Sequence, residues 1–331
     1  MRKPILIIVT FLSVGLVFLS FSELQQIIDI LSHANLKFIF GALTVQLIWL
    51  YNMGVTFKSL YWLMEIKENS FHLAKVSTAA NFINIVAPTL GVGGMAIFIT
   101  DGRKRKHSPG KITAATALFI LFDYAAFICV LALGIIVLIR RDNLTNGEIG
   151  ASIFLFFVFL FFTFLLYLGI HSEKRLGDFL AKLTRFINRL LNPFLHRPYL
   201  EEEKAYHFAE EIAESLVCLR HHKKRLLLPF VFSLINKALL ILILFLVFLA
   251  FNVPSSAGTI IAGFAVGYLF LIVSVTPSGI GVMESVLVIA LTSLNVGWNQ
   301  AVVITLSYRA VTFWFPLAIG ALAFRSIQKT K

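Results

Sequence analysis

A series of apolar runs, each close to the length that crosses a membrane, constrains this chain more than any other feature: residues 4 to 22, 38 to 57, 113 to 139, 150 to 170, 226 to 251 and 299 to 324. A hydrocarbon core of about 30 Å takes roughly 20 residues of helix. In lipid a backbone has to satisfy its own N–H and C=O groups, so such runs fold as helices. Composition agrees, because 58 % of the 331 residues are hydrophobic and only 14 % are charged, whereas a soluble domain is nearer half apolar and a quarter charged. The predicted fold class is all-α, a polytopic membrane helix bundle forming a single integral membrane domain over 1–331. Its halves, 1–170 and 226–331, are joined by the polar segment 171–225. The start, MRKPILIIVTFLSVGLVFLSFS, has the basic head and apolar core of a signal peptide. Its run is long and more spans follow, so it reads as an uncleaved first span.

Two further apolar stretches, 73 to 100 and 257 to 297, are interrupted by APTLGVGG (87 to 94) and TPSGIGV (276 to 282). Lys and Arg near span ends stay cytoplasmic. That rule puts Arg2 and Lys3, the segments 101 to 111 and 171 to 225, and the tail 325 to 331 on the inside. Six crossings and two re-entrant hairpins facing opposite ways satisfy all four, with both termini cytoplasmic in a bacterial or archaeal plasma membrane. Arg140 and Arg141 fall outside in this scheme, against the rule, and 257 to 276 is long enough to cross fully. The net charge of +12 collects in short segments between apolar runs, which orients helices and gives no reason to expect a nucleic-acid partner.

The hairpins lie in similar sequence. Aligning Ala115 with Ala301 sets Asp123 opposite Arg309 and Phe127 opposite Phe313. Inverted repeats with broken helices are a recurring transporter plan, with the substrate site where the breaks meet. Within 171–225, residues 174 to 195 place Leu176, Phe179, Leu180, Leu183, Phe186, Ile187, Leu190 and Leu191 at helical spacing, with Lys182, Arg185 and Arg189 on the other side. Such a helix suits an anionic cytoplasmic leaflet. A second helix, 200 to 220, carries an acidic polar face.

Four ionisable residues sit within apolar segments: Asp123, Lys237, Glu284 and Arg309. Each such charge costs about 2.5 to 3.5 kcal/mol even on the lenient insertion scale, so all four should face protein or water. Two acids and two bases make a neutral set, which fits buried pairs holding the halves in register as well as a substrate path. Glu284 has Arg309, Lys237 or a bound amine as candidate partners.

The helix breakers fit the same picture. Pro277 suits the first turn of a short helix beginning inside the membrane, where its missing N–H leaves no further unmet donor. Gly279 and Gly281 allow a backbone or a lipid headgroup to approach closely, and the following helix start offers N–H groups to a phosphate. Pro88, Gly91, Gly93 and Gly94 would do the same from the other side. These eleven residues, the four charges and the seven breakers, are the candidate substrate site. GIGVME resembles half a dinucleotide fingerprint but has no βαβ context. No hydrolytic or metal-binding pattern appears, so no metal, cofactor or enzyme activity is expected, and Cys129 and Cys218 read as structural.

The stretch TPSGIGVMESVLVIALTSLNVGWNQAVVITLSYRAVTFWFPLAIGAL resembles the C-terminal signature of the lysylphosphatidylglycerol synthase transmembrane, flippase-like family. The matching positions are Pro277, Gly279, Gly281, Glu284, Gly297, Ala301 and Arg309. APTLGVGGMAIFITDGRKRKHSPGKITAATALFILFDY looks like the N-terminal signature, ending at Asp123, but lacks the usual Arg and Glu of its Pro-Gly-Arg-x-Gly-Glu. The bifunctional members carry a soluble transferase domain after the membrane part, and this chain ends soon after its last span, so synthesis of aminoacylated lipid is not expected. The resemblance implies translocation of an anionic or modified lipid between leaflets. The alternative is a non-catalytic membrane partner of a glycosyltransferase or lipid-modifying enzyme, docking through 171–225.

Overall fold

The computed structural model describes residues 30, 34–86, 92–195, 202–221, 223–274 and 276–329, and every regular element among them is helical. The predicted first span at 4 to 22 lies outside the described residues. We number the helices α1 (Leu36–Leu63), α2 (Ser70–Val86), α3 (Val92–Lys104), α4 (Pro109–Arg140), α5 (Asn146–His171), α6 (Glu173–Leu195), α7 (Glu202–His221), α8 (Leu227–Ala250), α9 (Ala257–Val273), α10 (Val282–Ser293), α11 (Trp298–Arg309) and α12 (Phe315–Lys329). A π turn, Ala310–Trp314, joins α11 to α12. Five helices are long and apolar enough to cross a membrane: α1, α4, α5, α8 and the continuous Trp298–Gln328.

Helix ends follow local chemistry. Asn35 caps α1 by accepting from the Lys37 N–H at 3.2 Å. Pro109 opens α4, where its missing N–H costs nothing. Thr145 and Glu148 close a reciprocal capping box at the start of α5. The outward face of α5 is bare hydrocarbon: Phe154, Phe156 and Phe157 are 55, 49 and 65 % exposed. A face this apolar is stable against lipid tails and not against water, and with the other apolar helices it makes this an integral membrane protein.

Polar contacts sort the helix ends into two groups. At one end, which we call the basic end, Glu68 of the α1–α2 turn meets Arg105 and His107, while His72 at the start of α2 meets Asp101 near the end of α3, at 2.8 Å. Lys104 also donates to the Ile327 carbonyl and Lys75 to the Ser326 hydroxyl, placing the end of α12 there. At the far end, the Asn35 N–H donates to the Ala250 carbonyl, Arg141 donates to the hydroxyls of Ser256 and Thr259, and Asn143 donates to the Ser293 carbonyl. Thus α2 leaves the basic end and α3 returns to it, whereas α9 leaves the far end and α10 returns to it. The two broken helices open at opposite ends of the bundle. At 1.5 Å per residue, α9 and α10 are only about 25 and 18 Å long. Arg141, against the expected charge rule, is held at the far end by the hydroxyls around the α9 cap.

Helix α2 of the first hairpin is packed against the break of the second. Helix α2 packs on α1, on α12 and on the Pro277–Gly279 turn of the opposing hairpin. Gly320 of α12 lies against Phe82 and the Thr78 carbonyl of α2. One large core, with Phe127, Phe248, Phe264, Leu287 and Tyr308, joins α4, α8, α9, α10 and α11. A second, with Phe57, Leu60, Met64, Leu73 and Ile112, lies toward the basic end.

The predicted amphipathic pair forms as α6 and α7. Phe179 of α6 packs against Phe161 and Phe164 of α5, and Tyr206 of α7 donates to Asp178 at 2.8 Å. Leu176, Ala181 and Thr184 are the buried side of α6. This differs from the predicted division: Leu183 and Phe186 stay exposed beside Lys182, Arg185 and Arg189, because α5 and α7 cover only part of the apolar stripe.

The basic-end cluster carries a pH prediction. Burial alone would raise the Glu68 carboxyl, but the hydrogen bond from His107 and the charges of Arg105, His72 and His107 outweigh it and hold it below the usual carboxylate range. A carboxyl lowered on folding adds stability above its unfolded value, about 4.3 for Glu, and loses it as pH falls through the folded value. The gap in melting temperature between the wild type and Glu68→Gln should therefore stand at pH 7 and close as the pH falls below about 4. A gap independent of pH would contradict this role for the ionised carboxylate.

Candidate functional site

Lys237, about midway along α8, is almost fully buried, with 2 % of its side chain exposed. Its ammonium lies 2.7 and 2.8 Å from the two oxygens of Asp123 on α4 and donates to the Tyr268 hydroxyl on α9 at 2.7 Å. The same nitrogen sits 4.2 Å from the centre of the Tyr268 ring. Phe127, one turn beyond Asp123, packs on that ring with centroids 4.8 Å apart. Three helices therefore meet on one ammonium whose donors have a full set of partners.

The second pair is built differently. Glu284 lies in the first turn of α10 and Arg309 at the end of α11. Arg309 donates through Nε to Oε1 of Glu284 and through Nη2 to the Ser278 carbonyl at 3.3 Å, with its guanidinium 4.4 Å from the centre of the Phe313 ring. Only 5 % of the Arg309 side chain and 14 % of the Glu284 side chain are exposed. Oε2 of Glu284 is buried without a hydrogen-bond partner among the described residues. The π turn begins immediately after Arg309; single π turns recur at functional sites.

Between α9 and α10 the chain is irregular. Ser278, Gly279 and Gly281 have φ of 51, 69 and 79°, left-handed values that glycine adopts without strain and serine does not. These positive angles stop a helix from running on from Pro277, so Pro277 opens a three-residue turn and α10 starts only at Val282. This corrects the reading of Pro277 as part of the first turn of the short helix, which begins five residues later. The two glycines also separate in role. A Cβ at Gly279 would lie 3.1 Å from the Leu271 Cα, so this glycine admits a neighbouring backbone, whereas a Cβ at Gly281 would meet nothing within 4 Å. Gly281, Thr276 and Ser285 are exposed, and the start of α10 has no side-chain cap.

In the first hairpin, Pro88 and Gly91 lie outside the described residues. Gly93 and Gly94 stand in the first turn of α3, where the Gly94 N–H donates to Oδ1 of Asn84 at 2.7 Å. A Cβ at Gly94 would lie 2.6 Å from the Asn84 side-chain amide, so a larger residue here would have to displace the Asn84 side chain that the Gly94 N–H holds.

The four predicted charges thus form two separate pairs, Asp123 with Lys237 and Glu284 with Arg309, which decides between the partners considered for Glu284. Sequence reasoning missed Tyr268, Asn84 and a polar stripe on α1. Asn52 donates to Asn236 of α8 at 2.7 Å and Asn236 donates to Thr56 at 3.3 Å. Gln46 is fully buried with both amide atoms unpartnered among the described residues, and Thr305, one turn before Arg309, is fully buried with its hydroxyl likewise unpartnered among them.

Paired charges at the centre of an all-helical membrane bundle, between hairpins that open at opposite ends, define a class of polytopic membrane protein with a polar interior. The chain belongs to the family described as the lysylphosphatidylglycerol synthase TM region, whose profile matches residues 5–320. It is also similar to a UPF0104 membrane protein of Methanocaldococcus jannaschii, with 23 % identity over 332 residues covering 99 % of this chain and 96 % of that protein. Membership of this family places the chain in a lipid-related membrane setting.

Proposed function

We propose that this protein moves an anionic or modified lipid between leaflets, with the headgroup held at the break between α9 and α10. One observation carries the reading: Gly281 and Thr276 are exposed at the break, while Arg309, bound to the Ser278 carbonyl, lies beneath it. Irregular backbone at membrane depth is tolerated only where protein buries it or a water-filled cavity reaches it. An exposed break over a guanidinium is such a place, and a lipid phosphate is the anion at hand in a bilayer. In this reading both hairpins are re-entrant, the two halves are an inverted repeat, and alternating access comes from one hairpin tilting against the other. The basic end faces the cytoplasm, and the exposed Lys182, Phe186 and Arg189 of α6 rest on its anionic leaflet. No step makes or breaks a covalent bond, so the protein acts as a transporter and not as an enzyme.

The test is leaflet exchange of a fluorescent phosphatidylglycerol in phosphatidylcholine vesicles containing the purified protein. Exchange should exceed that of protein-free vesicles and fall back to it in Arg309→Ala. Exchange no faster than in empty vesicles, for anionic and zwitterionic probes alike, would favour a membrane partner of a lipid-modifying enzyme or glycosyltransferase instead.

A further inference from the structure

The two buried ion pairs differ in one respect that bears on how a headgroup could be bound and released. Both oxygens of Asp123 lie within 2.8 Å of the Lys237 ammonium, which also holds the Tyr268 hydroxyl. Glu284 uses one oxygen on Arg309 and leaves the other buried without a donor among the described residues. A buried carboxylate oxygen without a donor is costly. It can accept a proton without giving up a hydrogen bond. Arg309 in turn has five donor hydrogens, and its hydrogen bonds among the described residues use Nε and Nη2.

We infer that Glu284 is a proton-binding site coupled to anion binding at Arg309: a phosphate entering at Gly281 takes over the guanidinium as Glu284 takes up a proton. This rests on the headgroup reading above and adds its coupling ion. Charge decides the point. With Glu284 ionised, an arriving phosphodiester would put two anions on one buried cation. With a proton on Oε2, the set of carboxyl, guanidinium and phosphate has the same net charge as the empty pair. The only covalent change is one O–H bond formed on Glu284, its proton coming from water, and it leaves by the same route when the phosphate departs. Among the elements packed on α10, α9 contributes Tyr268 and α11 contributes Tyr308 and Arg309, the Pro277–Gly279 turn contributes none, and α10 itself holds no other titratable residue. Tyr268 is already bound by Lys237.

The test uses the full chain in phosphatidylcholine nanodiscs and dihexanoylphosphatidylglycerol as the probe, whose phosphodiester stays singly charged across the pH range. Titration calorimetry in two buffers of different ionisation enthalpy gives protons taken up per lipid bound. The wild type should take up about one, and its affinity should rise toward tenfold for each unit of falling pH. Glu284→Gln, a neutral mimic of the protonated acid, should still bind, with no uptake and no pH slope. Binding by the wild type without proton uptake, or equal uptake by Glu284→Gln, would overturn the coupling and leave the headgroup site standing. No binding beyond that of dihexanoylphosphatidylcholine would remove the headgroup site and the coupling with it. Should Glu284→Gln not fold, the pH slope of the wild type decides, with Glu284→Asp expected to keep it.

Discussion

Asp123→Ala should lower stability by about 3 to 5 kcal/mol, the cost of leaving a buried charge without its partner. Lys237 is the reason. With 2 % of its side chain exposed, its ammonium cannot reach water, and the Tyr268 hydroxyl alone would have to hold it. The same argument predicts that the damage lies in the orphaned charge and not in the loss of the pair. Replacing a buried pair with apolar residues of similar volume is often neutral or stabilising, so Asp123→Leu combined with Lys237→Met should recover most of the loss. Reversible unfolding in detergent micelles, run as a double-mutant cycle, measures both terms. A double variant as unstable as Asp123→Ala would mean that the pair itself, and not charge neutrality, holds α4, α8 and α9 together. Because Asp123 comes from the first half and Lys237 from the second, this contact also fixes how the halves sit on each other.

The long spans were legible because hydropathy is a one-dimensional property: α1, α4, α5 and α8 each lie within a few residues of their predicted runs. The clustering of Lys and Arg predicts hairpins that open to opposite faces, and the contacts of His72 with Asp101 and of Asn143 with Ser293 put the outer ends of the two short helix pairs at opposite ends of the bundle. Which acid meets which base was not legible, since it depends on how α4, α8 and α9 rotate as they pack. Tyr268 was invisible for a related reason: a single hydroxyl in an apolar run has no period. Gln46, Trp49, Asn52, Thr56 and Ser59 do repeat at three or four residues along α1. That polar stripe, unlike a lone hydroxyl, marks the face of α1 turned inward. The start of α10 was misplaced because proline marks helix starts only on average, whereas the positive φ angles at 278, 279 and 281 reflect how this turn packs against α2 and α9.

The opposed hairpins depend on a close approach at their base, which predicts a large effect at Gly54. This residue is buried in α1, and a Cβ there would lie 2.4 Å from the Ala74 nitrogen, 2.5 Å from the Ser70 carbonyl oxygen and 2.6 Å from the Ala74 Cα. All three are backbone atoms of α2, so no rotamer change makes room and the helix itself has to move. Helix α2 is not free to do so, since it is clamped on its other sides by α12 and reaches the Pro277–Gly279 turn. Gly54→Val should therefore cost about 3 kcal/mol, the upper part of the usual overpacking range, and on the proposed transport function it should slow lipid exchange, because a displaced α2 takes the opposing break with it. Gly150 is the control: it lies exposed on α5 with nothing within 4 Å of a built Cβ. There Gly→Ala should be neutral or stabilising by up to about 1 kcal/mol, through the lost freedom of the unfolded chain. Unfolding midpoints of the two variants beside the wild type separate the cases. Equal stability of Gly54→Val and Gly150→Ala would mean that α2 shifts without resistance, and the packing of α2 against the Pro277–Gly279 turn would then be far looser than these contacts require.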